Sequence, residues 1–237
     1  VGLTEAEVSG ALLCLDVTER VVDEAITKGC NLIVAHHPLI FRKLSQVTDA
    51  NYVQRTVIKA IKNDIVIVAM HTNLDAAFGG VNFKIAEKLR LRDVRFFGRE
   101  KVVTNPLTDK KVTGGDGVIG CFDTPLAADD LILLLKKEFD VECVQANELL
   151  RREIQTVALC GGSGSFLLQD AINAGADAFI TGEMGYHEFF GHEQEIQLCV
   201  IGHYQSEQYT TEVLRDVIER DCPGVKCCIS EINTNPI

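Results

Sequence analysis

Short apolar, β-branched runs alternate with segments of helical periodicity along this chain, and that alternation narrows the fold more than any other feature. A strand that feeds a crossover helix returns to the sheet parallel to itself. Strict βα alternation therefore predicts a mainly parallel sheet covered on both faces. Residues 11–15 read as the first strand. Thr18 is placed to cap a helix whose Val21, Val22, Ala25 and Ile26 share one face, and Gly29 is placed to end it. Residues 31–35 and 65–70 read as further strands. Val53, Val57, Ala60 and Ile61 mark the helix between them, and Val81, Ile85, Ala86 and Leu89 mark the next.

The rhythm breaks at residues 99–117. Pro106, Lys110, Lys111 and the turn-like cluster Gly114-Gly115-Asp116-Gly117 predict a hairpin or an extended loop there. A second βα series follows. A helix is expected over 131–139, strands over 141–144 and 156–160, and a helix over 166–174. Strands over 178–181 and 197–201 come next. An amphipathic helix through Tyr209, Val213 and Val217 and a strand over 225–229 complete the series. No repeat of fixed period and no low-complexity segment interrupts it.

The chain has 237 residues, enough for one large α/β domain or two small ones with real cores. With 46% hydrophobic and 24% charged residues it has the composition of a folded protein. A formal net charge of -11 disfavours nucleic acid and anionic membranes as partners, since both would repel it. The longest apolar runs, such as 131–135, are too short to span a bilayer. Neither a signal peptide nor a basic leader is expected, and the start at Val1 without Met points to a missing upstream piece. The nine cysteines are scattered, odd in number and form no C-x-x-C. Cys14, Cys160 and Cys199 sit in apolar runs, and Cys227 and Cys228 are adjacent. Reduced structural thiols in a cytoplasmic protein are the reading.

Five of the expected strands run into polar or glycine clusters: His36-His37-Pro38, His71-Thr72-Asn73-Leu74-Asp75, Gly161-Gly162-Ser163-Gly164-Ser165, Gly182-Glu183 with His187, and Gly202-His203 with Glu207. The carboxyl ends of strands form the ligand crevice of open α/β sheets. Imidazole and carboxylate there are the standard ligands of zinc, iron or manganese. His203 and Glu207, spaced i, i+4, face the same way if a helix starts at that point. His36 and His37 cannot both point inward from a regular strand, but past its end they can diverge, each toward a different ion. Five or six donors exceed the needs of one tetrahedral ion, so two ions are expected. Taken singly, each residue has an ordinary role: a hydrogen-bonded histidine, an N-cap at Asp75, a carboxylate at a helix N-terminus at Glu207. Their common position is what points to a metal. His192, among polar residues, is expected at the surface. The glycine run 161–165 lacks the Lys-Ser/Thr ending of a P-loop, so a tight strand-to-helix turn is favoured over a phosphate cradle.

These motifs resemble a known family. Leu15-Asp16-Val17-Thr18 with Asn31-Leu32-Ile33-Val34-Ala35-His36-His37-Pro38-Leu39-Ile40-Phe41 is similar to the first signature of the GTP cyclohydrolase I type 2 homologues, the YbgI-like dinuclear-metal proteins. His71-Thr72-Asn73-Leu74-Asp75 with Gly80-Val81-Asn82 resembles the second. Thr181-Gly182-Glu183 with His187 resembles the third, where Asp is often found at the Glu183 position. Gly202-His203-Tyr204-Gln205-Ser206-Glu207 resembles the fourth. The signatures run in family order over nearly the whole chain. The resemblance implies two divalent metal ions held by His36, His37, Asp75, His203 and Glu207, with His71 lining the pocket. It implies the compact form without an inserted middle domain, built from two interleaved α/β domains and assembled as a hexameric ring. On this chain those domains map to 1–95 with 202–237, carrying most ligands, and to 96–201. Family members commonly begin further upstream.

The family name implies hydrolytic opening of the guanine ring of GTP by a metal-activated water, with Glu183 or His187 as general base or acid. A metal-dependent hydrolase of a nucleotide-like small molecule is thus the expectation. Two other readings use the same residues: a non-enzymatic metal carrier, sensor or partner-binding scaffold, and a dinuclear phosphoesterase.

Overall fold

A computed structural model describes residues 1–106 and 108–236. In chain order the elements are β1 (Ala11–Cys14), α1 (Glu19–Lys28), β2 (Leu32–Ala35), α2 (Tyr52–Lys62), β3 (Val66–Ala69), α3 (Thr72–Asp75) and α4 (Val81–Lys88). There follow β4 (Arg92–Thr104), β5 (Lys111–Leu126), α5 (Ala128–Glu138), β6 (Gln145–Ala146), β7 (Ile154–Cys160), α6 (Leu168–Asn173) and β8 (Ala178–Thr181). Last come β9 (Gln197–Val200), α7 (His203–Glu207), α8 (Thr210–Asp221) and β10 (Cys227–Ile229). They group into two compact units. The first holds Val1–Asn73 and the segment from Thr210 on; the second is Leu74–Tyr209.

The first unit is built on a four-stranded sheet in the order β10-β1-β2-β3, parallel throughout. Thr18 caps α1 as its side chain accepts from the Val21 amide, and Gly29 ends the helix with φ 69°. Val21, Val22 and Ala25 of α1 and Val57 and Ala60 of α2 pack with Leu12, Ile33 and Ile67 of the strands in one buried cluster. Burying each of the larger side chains contributes about 1.5–3 kcal/mol, which outweighs the modest intrinsic stability of such short helices.

The second unit carries a six-stranded sheet in the order β4-β5-β7-β8-β9-β6. Only β7–β8 and β8–β9 pair parallel; β4–β5, β5–β7 and β6–β9 are antiparallel. The expectation of mainly parallel sheets thus holds for the first unit, while the second is mixed. The segment around residues 99–117 forms a hairpin, as expected, with β4 pairing antiparallel to β5, but its glycine cluster, turn-like in sequence, lies within β5 and not in the connection. A Cβ at Gly115 would come within 2.8 Å of the Phe96 side chain, and one at Gly117 would meet the Phe97 ring and, at 2.9 Å, the Leu159 carbonyl. The glycines are there so that two aromatic rings of β4 can lie across β5.

The strand expected over 141–144 does not form. The Val141 amide is taken by the Lys136 carbonyl to finish α5, and the strand, β6, is confined to two residues paired with β9. The first unit is made of two chain segments that flank the second, with junctions at 73/74 and 209/210. Helix α4 belongs to the second unit. The Asn82 side chain donates to the Asp116 carbonyl and accepts from the Gly161 amide, and Ile85 and Val81 lie against Gly161, so α4 packs with β5 and β7.

Candidate metal centre

In the first unit, β2 delivers His36 and His37. Their amides extend the pairing with the first strand, donating to the carbonyls of Cys14 (3.1 Å) and Leu15 (2.8 Å). Beyond this point the backbone no longer alternates, and the two rings lie 4.8 Å apart, tilted by 49°. The end of β3 brings His71 against both, with centroids 5.3 Å from His36 and 5.5 Å from His37. One ring nitrogen from each of the three histidines lies within 4.8 Å of the others. Nδ1 of His36 donates to the Met70 carbonyl at 2.9 Å, and Nδ1 of His37 to Asp16 Oδ1 at 2.8 Å. Neither oxygen partner can donate in its usual state, so the proton of each neutral ring sits on Nδ1 and the lone pair on Nε2.

In the second unit, α7 sets His203 and Glu207 side by side, Nε2 to Oε2 3.2 Å. Nδ1 of His203 donates to Glu183 Oε1 at 2.9 Å, and the other oxygen of Glu183 accepts from the Ser163 hydroxyl. The hydrogen bond from Ser163, with that from His203, holds the Glu183 carboxyl below its ordinary value against the opposing effect of partial burial. The hydrogen bond to Glu207, together with both carboxylate charges, raises the imidazole of His203. Asp75 stands near Glu207: burial first, then the charges of Asp75, Glu207 and Asp116, push the Cys160 thiol up to about 12. Glu207 itself is only 4% exposed, and a buried carboxylate calls for a counter-charge.

The Gly161–Ser165 stretch is the tight turn favoured from sequence. The amides of Gly161, Gly162 and Gly164 donate to the side chains of Asn82 (2.9 Å), Ser206 (2.9 Å) and Thr181 (3.0 Å). Those amides are engaged by protein, which argues against a phosphate cradle. The turn presses instead on the carboxylate of Glu207: a Cβ on Gly162, whose φ is +58°, would meet Oε1 directly. His187 falls in the exposed turn Tyr186–Phe189, its ring 5.1 Å from Tyr186 and 6.0 Å from Phe190. His192 is partly covered, with its Nδ1 2.9 Å from Glu195.

The first unit thus gathers three imidazoles, and the second sets an imidazole beside a buried carboxylate, donors of the kind that divalent transition ions prefer. His36, His37 and His203 share a further property of metal-ligating histidines, an oxygen acceptor on the second ring nitrogen that fixes tautomer and orientation. The donor set fits the implied ions. Four supporting residues escaped the sequence reading as site residues: Asp16, Ser163, Ser206 and Asn82. Asp16, Ser206 and Asn82 lie inside the quoted motifs and Ser163 in the glycine turn, so the signal was present without a geometry to interpret it.

Comparison with known proteins extends this picture. The sequence profile of the Duf34/NIF3 (NGG1p interacting factor 3) family matches residues 1–236. A protein of Clostridium perfringens named as a GTP cyclohydrolase 1 type 2 homolog is 34% identical over 239 residues, covering 100% of this chain and 88% of the relative. The crystal structure of a Staphylococcus aureus hypothetical protein superposes with a TM-score of 0.88 at 27% identity, covering 100% of this chain and 89% of that one. A Bacillus cereus protein related to NIF3 superposes with a TM-score of 0.82 at 24% identity, covering 100% and 91%.

Proposed function

We propose, from the premise that this chain belongs to the Duf34/NIF3 family, that it binds two divalent transition-metal ions, zinc, iron or manganese, through His36, His37, Asp75, His203 and Glu207, and hydrolyses a nucleotide-like small molecule. The observation that carries the metal reading is the oxygen acceptor on Nδ1 of each of the three proposed ligand histidines, at 2.8–2.9 Å. His71, grouped with His36 and His37, adds a further donor in the first unit.

When bound, such ions supply Lewis acidity and lower the pKa of a coordinated water, which suits hydrolysis at neutral pH. Glu183 is the general base of this reading. Hydrogen bonds from Ser163 and His203 keep its carboxylate ionised and able to accept a proton, though they make it a weaker base than an ordinary carboxylate, and its side chain is 55% exposed. His187, in the exposed turn Tyr186–Phe189, is the residue proposed to return a proton to the leaving group. The substrate class follows from the naming of relatives as GTP cyclohydrolase homologs and is an analogy. A small anion fits better than a polyanion, since the net charge of -11 repels the latter while local cations accommodate the former. No helix is long and apolar enough to cross a membrane among the described residues. Cysteines left unpaired throughout suit a reducing cytoplasm.

The test is elemental analysis of protein purified without a metal-affinity tag, followed by turnover assays with GTP and other nucleotides in the presence and absence of zinc, manganese or iron. About two ions per chain are expected, with loss of metal and turnover in Asp75→Ala and His203→Ala. Glu183→Gln, which also loses the carboxylate that orients His203, should weaken metal binding by about 10–100-fold, and at saturating metal its turnover should still fall roughly 10²–10⁴-fold. Turnover that survives in the ligand variants would show that another site is responsible. Reversible metal exchange without turnover of any nucleotide would favour a carrier or sensor.

A further inference from the structure

The first unit contains a side chain contact that joins residues 218 apart in sequence. Past β10 the chain is pinned at successive points. The Ser230 amide donates to the Leu13 carbonyl at 2.8 Å, and the Ser230 hydroxyl lies 2.5 Å from Glu24. The Glu231 amide donates to Glu24 at 2.8 Å, and Ile232 packs on the buried cluster. These anchors carry Thr234 over the carboxyl end of β1. There its hydroxyl donates to Asp16 Oδ2 at 2.6 Å, while Asp16 Oδ1 accepts from His37 Nδ1 at 2.8 Å.

The result is a chain of hydroxyl, carboxylate and imidazole. The second unit builds the same sequence of groups independently, from Ser163 through Glu183 to His203. In both, a hydroxyl holds one oxygen of a carboxylate and the other oxygen fixes the ring nitrogen that does not ligate. A carboxylate with one anchored oxygen has lost its freedom to rotate about the terminal torsion, so the imidazole bonded to its partner oxygen is held in direction as well as tautomer.

We propose that Asp16 and Thr234 are positioning residues for His37 as a metal ligand, so that the segment after β10 completes the metal centre. The proposal rests on the metal reading above. Asp16 sets the Nδ1–H tautomer of His37 and so presents the Nε2 lone pair. Thr234 sets the orientation of Asp16. Neither side chain is proposed to touch an ion or a substrate.

Two measurements test this, one of them independent of metal. Long-range ¹H–¹⁵N correlation on metal-free protein with labelled histidine reads the His37 tautomer, the signal being assigned by its loss in His37→Gln. Wild-type protein and Thr234→Ser should show the Nδ1–H form, and Asp16→Asn and Thr234→Val should show a mixture. Titration with Co(II), followed by its visible ligand-field spectrum, reads affinity and geometry. Asp16→Asn should weaken binding by about 10–100-fold and change the spectrum, in the range found for partners of ligating histidines. Thr234→Val should shift both in the same direction by less, and Thr234→Ser should restore them. Should Asp16→Asn fail to fold, the Val and Ser variants at Thr234 make the same comparison. Wild-type protein that takes up no Co(II) would overturn the metal reading, and this proposal with it. Normal wild-type uptake with unchanged tautomer and affinity in Asp16→Asn and Thr234→Val would overturn this proposal alone.

Discussion

A methyl group at Gly162 would stand where the Glu207 carboxylate now lies. Because Glu207 is 4% exposed, its head group cannot swing into solvent to make room. The left-handed φ of +58° adds the ordinary cost of a Cβ in that region, about 1–2 kcal/mol. Gly162→Ala is therefore expected to lower the melting temperature by a few degrees, roughly 2–4 °C for each kcal/mol in a chain of this size. On the proposed ligand set, metal affinity should fall by about tenfold or more, since the Glu207 carboxylate is displaced and not deleted. Calorimetric metal titration with a parallel thermal melt checks both. A variant that melts lower yet binds metal normally would remove Glu207 from the ligand set.

Asp177, in the turn before β8, governs the alignment of three strands. Its carboxylate accepts from the amides of Gln155 (3.0 Å) and Thr156 (2.9 Å) at the start of β7 and pairs with Arg152. Its own amide donates to the Thr156 carbonyl, and its carbonyl accepts from Gln197 at the head of β9. Partial burial raises the carboxyl, but the two amide bonds and Arg152 outweigh it and hold the group below its ordinary value. The folded protein thus binds this proton more weakly than the unfolded chain. The stability it contributes is complete above the unfolded value near 3.9 and is lost as pH falls through the lower folded value. Asp177→Asn should cost about 1.5–3 kcal/mol at neutral pH, the range for hydrogen bonds to a charged group. Denaturant unfolding at stepped pH should show the gap to wild type closing below about pH 4. A gap that stays constant to acid would mean that packing, not the charge, is responsible.

At the scale of the molecule the two units differ in construction. One closes a parallel sheet with a segment from each end of the chain, and the other is continuous. The hexameric ring is a proposal from family resemblance, and a net charge of -11 gives no guide to symmetry. Multi-angle light scattering at micromolar concentration is expected to give six times the 26.0 kDa chain mass. A monomer mass would reject the ring. Repeating the measurement after chelation separates an assembly that needs metal from one that does not.

The sequence by itself determined whatever depends on neighbours along the chain. Alternating apolar runs located most strands and helices, Thr18 and Gly29 bounded α1, and the clusters after the strands marked His36, His37, His71, Asp75, His203 and Glu207 as candidate donors. The i, i+4 spacing of His203 and Glu207 is local and translated directly into a 3.2 Å contact. Tertiary structure decided the rest. The glycines of β5 imitate a turn in sequence, and only the rings of Phe96 and Phe97 lying across them explain a strand there. The amides of the Gly161–Ser165 turn could suit a phosphate until the side chains of Asn82, Ser206 and Thr181 occupied them. Thr234, 218 residues from Asp16, carries no motif at all. A hydrogen bond needs its partners near 3 Å and correctly aimed, and periodicity fixes direction only within an element. Which distant side chains meet is settled when the elements pack.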